Sequence, residues 1–284
     1  MNITTVGIVG AGTMGNGIAQ VCAVSGIEVI MTDIAQAALD KGLATIGKSL
    51  DRLIAKQKMT EADKAAALGR IKTSVSQEAL KGAQLVIEAA TENHELKNKI
   101  IQQLDGLLAP EVLIASNTSS ISITQLAAVT GRPDKFIGMH FFNPVPMMAL
   151  VEMIRGLRTS DATHEAVKAL AQKLGKTPVT VRNSPGFVVN RVLVPMINEA
   201  FFVLAEGLAT PEDIDAGMKL GCNHPIGPLA LADMIGLDVC LAIMEVYLDE
   251  FGDSKYRPCP LLREYVAAGR LGRKSGSGVY SYAK

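Results

Sequence analysis

Two residues in the middle of the chain carry side chains that could move a proton. His140 falls in the apolar run 136–141, and Glu152 in the next run, 149–154. Phe142-Asn143-Pro144-Val145-Pro146 lies between them. Its prolines force an extended turn, so the two runs read as adjacent strands on which His140 and Glu152 could face each other. A neutral histidine beside a buried carboxylate is an oriented general base. The carboxylate fixes the imidazole tautomer and stabilises the imidazolium, and no nucleophile is required. The same spacing also suits a core histidine bonded to a cross-strand glutamate for structural reasons, and spacing leaves both readings open. His94 and His164 fall in expected first helical turns and His224 in a Pro/Gly loop. No two histidines share a metal-ligand spacing, so no metal is expected.

A second chemistry-bearing stretch lies at the start of the sequence. Thr4-Thr5-Val6-Gly7-Ile8-Val9 runs into Gly10-Ala11-Gly12-Thr13-Met14-Gly15, and a helix-like apolar run follows. Gly10, Gly12 and Gly15 have the G-x-G-x-x-G spacing. The first glycine permits a tight turn, the second lets a pyrophosphate approach the backbone, and the third lets the helix pack close to the strand. Thr13 and Met14 then stand at the helix N-terminus, where free N–H groups and the dipole favour an anion. The next strand, 28–33, ends in Asp33. An acid at about that 20-residue spacing holds a ribose 2′-OH and repels a 2′-phosphate, which argues for NAD over NADP.

These residues need a parallel sheet to position them. The chain supplies further buried-strand runs at 71–75, 85–90 and 112–117, with helical stretches between them. Ligands of open α/β sheets bind beyond the carboxyl ends of the strands. Glu92 and the hydroxyl-rich Asn117-Thr118-Ser119-Ser120 fall at such ends, where they could serve a ligand or cap helices. After Asp33 the return to the sheet is delayed by a helical hairpin over about 35–69, whose second helix opens on Thr60-Glu61-Ala62-Asp63. Lys41, Lys48, Arg52 and Lys56 recur on one face of it, either as a solvated face or as a surface for a phosphorylated ligand.

The second half turns helical. Asn183-Ser184-Pro185-Gly186 reads as a hinge. Residues 187–206 are apolar on most faces, which implies burial on all sides, naturally against a second subunit. Further helical patterns cover 226–251 and 260–268, and 272–278 reads as a loop. The expected organisation is an α/β nucleotide domain of Rossmann type over 1–184, doubly wound with the inserted hairpin, and an all-α substrate and dimerisation domain over 185–284.

Composition bounds the partners. Lys+Arg and Asp+Glu balance at 28 each, so no charge argument favours nucleic acid or an anionic membrane. Cys22, Cys222, Cys240 and Cys259 show no C-x-x-C spacing and read as free thiols in a reducing compartment. With no targeting pattern and no apolar run of membrane-spanning length, a cytoplasmic protein is expected.

Four stretches carry a resemblance: Gly-Ala-Gly-Thr-Met-Gly at 10–15, Ala-Ser-Asn-Thr-Ser-Ser at 115–120, Met-His-Phe-Phe-Asn-Pro at 139–144, and Asn-Ser-Pro-Gly-Phe-Val-Val-Asn-Arg at 183–191. In these the chain resembles the L-3-hydroxyacyl-CoA dehydrogenase family, over its whole length and in the family's order. The resemblance implies an NAD-dependent enzyme for short-chain 3-hydroxyacyl-CoA or acetoacetyl-CoA, in a form with no hydratase-sized extension. It implies His140 as acid/base paired with Glu152, Ser119 near the reacting carbon, Asn190 on the same oxygen, and Asn143 on the nicotinamide side. Glu92, Lys97 and Lys274 match positions that contact NAD, and Ser49 and Lys56 match positions that contact coenzyme A. Two other readings stand beside it. One is a β-hydroxyacid-type dehydrogenase acting on free acids, for which a lysine at the reacting centre would be expected. The other is a non-enzymatic NAD-binding protein on the same scaffold.

Overall fold

The computed structural model describes residues 2–282 and divides into two compact units, one through Phe187 and one from Val188. In the first unit the elements are β1 (Thr5–Val9), α1 (Thr13–Val24), β2 (Glu28–Thr32), α2 (Gln36–Ala55), α3 (Glu61–Gly69), β3 (Ile71–Ser74), β4 (Leu85–Glu88) and α4 (His94–Leu107). They continue as β5 (Leu113–Ser116), α5 (Ile123–Ala128), β6 (Phe136–Phe141), β7 (Leu150–Arg155), α6 (Asp161–Lys173) and β8 (Thr177–Arg182). The strands form a single eight-stranded sheet in the order β3-β2-β1-β4-β5-β6-β7-β8. It is parallel except between β6 and β7, which run antiparallel. The order reverses between β1 and β4, and a crevice at such a switch point is where this architecture takes a ligand.

Period-2 alternation splits the strand side chains between two cores. Val6, Ile8, Leu85 and Ile87 pack with α1, α2, α3 and α6 on one face, through Ile18, Leu39, Ile46, Leu50, Ala67 and Val167. Val9, Val86 and Ile114 pack with α4 and α5 on the other, through Ile101, Leu104, Ile123 and Leu126. Full burial of each such aliphatic side chain contributes about 1.5–3 kcal/mol. The expected hairpin is α2 and α3. Leu39, Ile46 and Leu50 are its buried stripe, and Thr60 and Asp63 form a reciprocal capping box at the start of α3.

The second unit is helical: α7 (Val189–Ala205), α8 (Pro211–Gly221), α9 (Pro228–Ile235), α10 (Leu237–Phe251) and α11 (Pro260–Ala267). Two expectations need correction. The stretch 226–251 is not one helix, because Gly236 at φ +110° leaves the helical region and separates α9 from α10. Apolar periodicity cannot register a single residue of reversed φ. Phe187 is likewise not helical; it stands at φ +52° before α7 begins. Within the loop expected at 272–278, Arg273–Ser275 forms a 3-10 turn. Among the described residues no helix is long and apolar enough to cross a membrane.

Candidate active site

The glycine turn has the shape its spacing predicts. Gly10 sits at φ +101°, and its N–H donates to the Thr32 carbonyl at 2.7 Å. A Cβ on Gly15 would lie 1.8 Å from the Gly10 carbonyl oxygen, so strand and helix can approach this closely only without a side chain. Gly12 begins α1 with no side-chain cap, and nothing lies within 4 Å of where its Cβ would be. The first turn of α1 therefore has no side-chain cap and lies beside open space, where a helix N-terminus favours an anion. Asp33 Oδ2 accepts from Ala11 N at 2.9 Å and Oδ1 from Ala35 N at 3.2 Å, so the acid that directly follows β2 braces the turn.

Two cavities flank this turn. One, of about 300 Å³, is lined by Gly10, Asp33, Ile34, Val75, Leu96 and Ile100. Ile34 is 98% exposed, and Val75 and Leu96 are also exposed. Apolar side chains standing in water beside a carboxylate make a slot for a flat ring with a hydroxylated neighbour, as an adenosine has. Sequence reasoning missed these walls; the signal available was an isoleucine directly after the strand-end acid. The other cavity, about 320 Å³, is lined by Gly12, Thr13, Met14, Glu92, Lys97 and Asn117. The open turn, the uncapped helix and the acid together fit a dinucleotide.

Behind the second cavity lies a buried ionic cluster. Lys97 is 1% exposed, and its Nζ lies 2.5 Å from Glu88 Oε2, itself on a fully buried side chain. Ser116 Oγ donates to the same Glu88 oxygen at 2.8 Å. Lys97 also lies 4.0 Å from Glu92 Oε2. Glu92 in turn accepts from Ser119 N at 2.7 Å, from Ser119 Oγ at 2.9 Å and from Thr118 Oγ1 at 2.7 Å. The strand-end hydroxyls are thus held by a carboxylate whose neighbour is a paired ammonium. Glu88 and Ser116 were not singled out in the sequence, because inside apolar runs they read as strand residues.

The antiparallel register of β6 and β7 sets His140 directly opposite Glu152. The Nδ1–Oε2 distance is 2.8 Å, with the imidazole nearly buried and the carboxylate fully so. An ionised carboxylate only accepts, so Nδ1 of the neutral ring carries the proton and Nε2 keeps its lone pair. Phe142 packs on the imidazole at 4.4 Å between centroids and Phe187 at 5.6 Å. Asn117 Oδ1 accepts from Phe141 N at 2.9 Å and ties the end of β5 to that of β6. Lys176, which the sequence reading passed over, donates to the carbonyls of Val145 and Met148 at 2.6 and 2.8 Å. It pins the connection that carries Asn143, and burial lowers its pKa.

Asn143 is exposed on the β6–β7 connection. Ser49 is half-buried on α2, and Lys56 is exposed at its C-terminus. Asn190 is half-buried in the first turn of α7. Lys274 pairs with Asp238 at 2.5 Å within the second unit. Burial alone would raise the Asp238 pKa, but the Lys274 ammonium outweighs it and holds the carboxyl below the usual range. Among the described residues no group of three or more His, Cys, Asp or Glu could hold a metal.

Sheet order, glycine turn and strand-end acid define a dinucleotide-binding protein, and the His140–Glu152 pair adds a group able to move a proton. A family model for the NAD binding domain of 3-hydroxyacyl-CoA dehydrogenase matches residues 5–184, and one for the C-terminal domain of the same enzymes matches 186–282. The chain is 54% identical to a 3-hydroxybutyryl-CoA dehydrogenase of Bradyrhizobium diazoefficiens, covering 99% of this chain and 96% of that one. It is 55% identical to a probable 3-hydroxybutyryl-CoA dehydrogenase of Bacillus subtilis, covering 99% and 98%. It is also similar to the crystal structure of (S)-3-hydroxybutyryl-CoA dehydrogenase from Ralstonia eutropha, at 71% identity, full coverage of both chains and a TM-score of 0.99. The chain belongs to the 3-hydroxyacyl-CoA dehydrogenase family, and its cofactor is NAD.

Proposed function

We propose that the chain interconverts (S)-3-hydroxybutyryl-CoA and acetoacetyl-CoA with NAD, with His140 as the acid/base. The observation that carries this is the buried His140–Glu152 pair. In oxidation His140 Nε2 takes the proton of the C3 hydroxyl, and in reduction it returns one. Glu152 holds Nδ1–H throughout and balances the imidazolium. Such acid–base help contributes about 10²–10⁴-fold. Bound NAD supplies the hydride chemistry at C3. Gly10, Gly12, Thr13, Met14, Gly15 and Asp33 would hold its adenosine and pyrophosphate. Glu92, Lys97 and Lys274 would contact NAD, and Ser119 and Asn143 would meet its nicotinamide. Ser119 and Asn190 would fix the substrate oxygen, with Asn143 beside it, and Ser49 and Lys56 would meet coenzyme A.

The chain is further proposed to act as a cytoplasmic homodimer joined through the second unit. Val192 on α7 is 67% exposed and Leu220 on α8 86%, a supply of apolar surface suited to a second copy. Light scattering tests this, and a monomer would overturn it.

The test of function is NADH oxidation with acetoacetyl-CoA, with longer 3-oxoacyl-CoA thioesters and with free acetoacetate. Turnover on thioesters is expected. Turnover on the free acid alone would favour the β-hydroxyacid reading, and NADH binding without turnover a non-enzymatic role.

A further inference from the structure

We infer that Phe187 is a positioning residue for His140, and that the chain accepts a strained backbone to place its ring. This rests on His140 being the acid/base. Phe187 N donates to the Ser184 carbonyl at 3.0 Å, closing a four-residue turn with Pro185 and Gly186 at its centre. Proline followed by a residue of positive φ is what a type II turn requires, and Gly186 stands at φ +76°. Phe187 then adopts φ +52° itself. A bulky residue in the left-handed region is an outlier, whereas glycine and asparagine enter it readily. A turn needing only this backbone would be better served by either.

The phenyl ring supplies what they cannot. It is 4% exposed and packs among Ile123, Ile154 and Val181. Its centroid lies 5.6 Å from that of the imidazole at an interplanar angle of 60°. Phe142 lies 4.4 Å from the same imidazole at 50°. With Nδ1 bound to Glu152, the two rings limit rotation of the imidazole and keep water from the ion-pairing edge. Strain that persists beside a reacting group, fixed by surrounding contacts, is where a functional constraint is to be sought.

The experiment separates the backbone from the ring. Phe187→Asn and Phe187→Gly keep the left-handed conformation and lose the phenyl; Phe187→Tyr keeps an aromatic ring. We expect the first two to fold, to keep KM for NADH within about twofold, and to lose about 10-fold or more in kcat. Phe187→Tyr should keep most of kcat. The chain has 4 histidines, so imidazole resonances of a histidine-labelled sample can be followed singly. Loss of the phenyl should move the His140 resonances and leave those of His94, His164 and His224 in place. A folded Phe187→Asn or Phe187→Gly enzyme with full kcat overturns the inference, as does an equal loss of kcat in Phe187→Tyr. Full turnover in His140→Gln would instead overturn the acid/base assignment on which the inference rests.

Discussion

His140 and Glu152 occupy one rung of the antiparallel ladder between β6 and β7, with Nδ1 2.8 Å from Oε2. β6 is the last strand of the parallel run, and β7 runs back against it. The one reversal in the sheet therefore places a carboxylate beside the imidazole, and the carboxylate's full burial leaves water no share in that bond.

His140→Gln should keep NADH binding and lose about 10²–10⁴-fold in kcat, the usual worth of a general acid/base. Glu152→Gln should lose less, since an amide can still accept from Nδ1 but carries no charge to balance an imidazolium. Steady-state kinetics and NADH fluorescence titration check both. Near-normal kcat in His140→Gln would remove this residue from the mechanism.

Asp33 directly follows β2 and accepts from Ala11 N. Asp33→Asn keeps an acceptor for that N–H and removes the charge that repels a 2′-phosphate. The ratio of kcat/KM for NADH over NADPH should fall about tenfold or more, equivalent to about 1.4 kcal/mol. An unchanged ratio would show that another residue selects the cofactor.

Lys97 and Glu88 form an ion pair that is almost wholly buried. Lys97→Met leaves a carboxylate uncompensated in the interior and should cost about 3–5 kcal/mol in urea denaturation. The double variant Glu88→Gln with Lys97→Met should recover much of that stability. Additive losses would mean that the two charges do not depend on each other. Because Lys97 also neighbours Glu92, which anchors Ser119, the single variant should lose turnover beyond its loss of stability.

Burial pushes the Cys22 thiol up to about 12 and, with help from nearby Asp238 and Asp233, the Cys240 thiol likewise. Above the ordinary thiol value of 9.0 the unfolded chain sheds these protons while the folded chain keeps them. Stability is therefore whole below that pH and falls as pH rises through it, by about 1.4 kcal/mol per pH unit for each thiol. Cys22→Ala should flatten the fall seen in urea midpoints between pH 9 and pH 11, a range that lies inside the cited shift. An equally steep fall in the variant would remove Cys22 as its cause.

Much of this protein is legible in its sequence alone. Glycines at 10, 12 and 15 with Asp33 at the next strand end specify a nucleotide turn, because only glycine tolerates the φ of the first position and the close approach at the third. The hairpin was readable from Leu39, Ile46 and Leu50 together with Thr60 and Asp63, since helical periodicity and capping are local. His140 and Glu152 could be nominated as a pair, but not joined. Their contact depends on strand register, and a slip of one residue would turn the two side chains to opposite faces.

Tertiary structure alone decided the rest. Glu88 and Ser116 look like ordinary strand residues until β4, β5 and α4 bring them onto Lys97. Ile34, Val75 and Leu96 become walls of one cavity only when three separate strand and helix ends meet. The left-handed backbone of Phe187 is invisible to an apolar pattern that runs on into α7. Periodicity, caps and glycine turns are set by residues near in sequence, whereas charge pairing, cavities and strain arise between residues that only the folded chain makes neighbours.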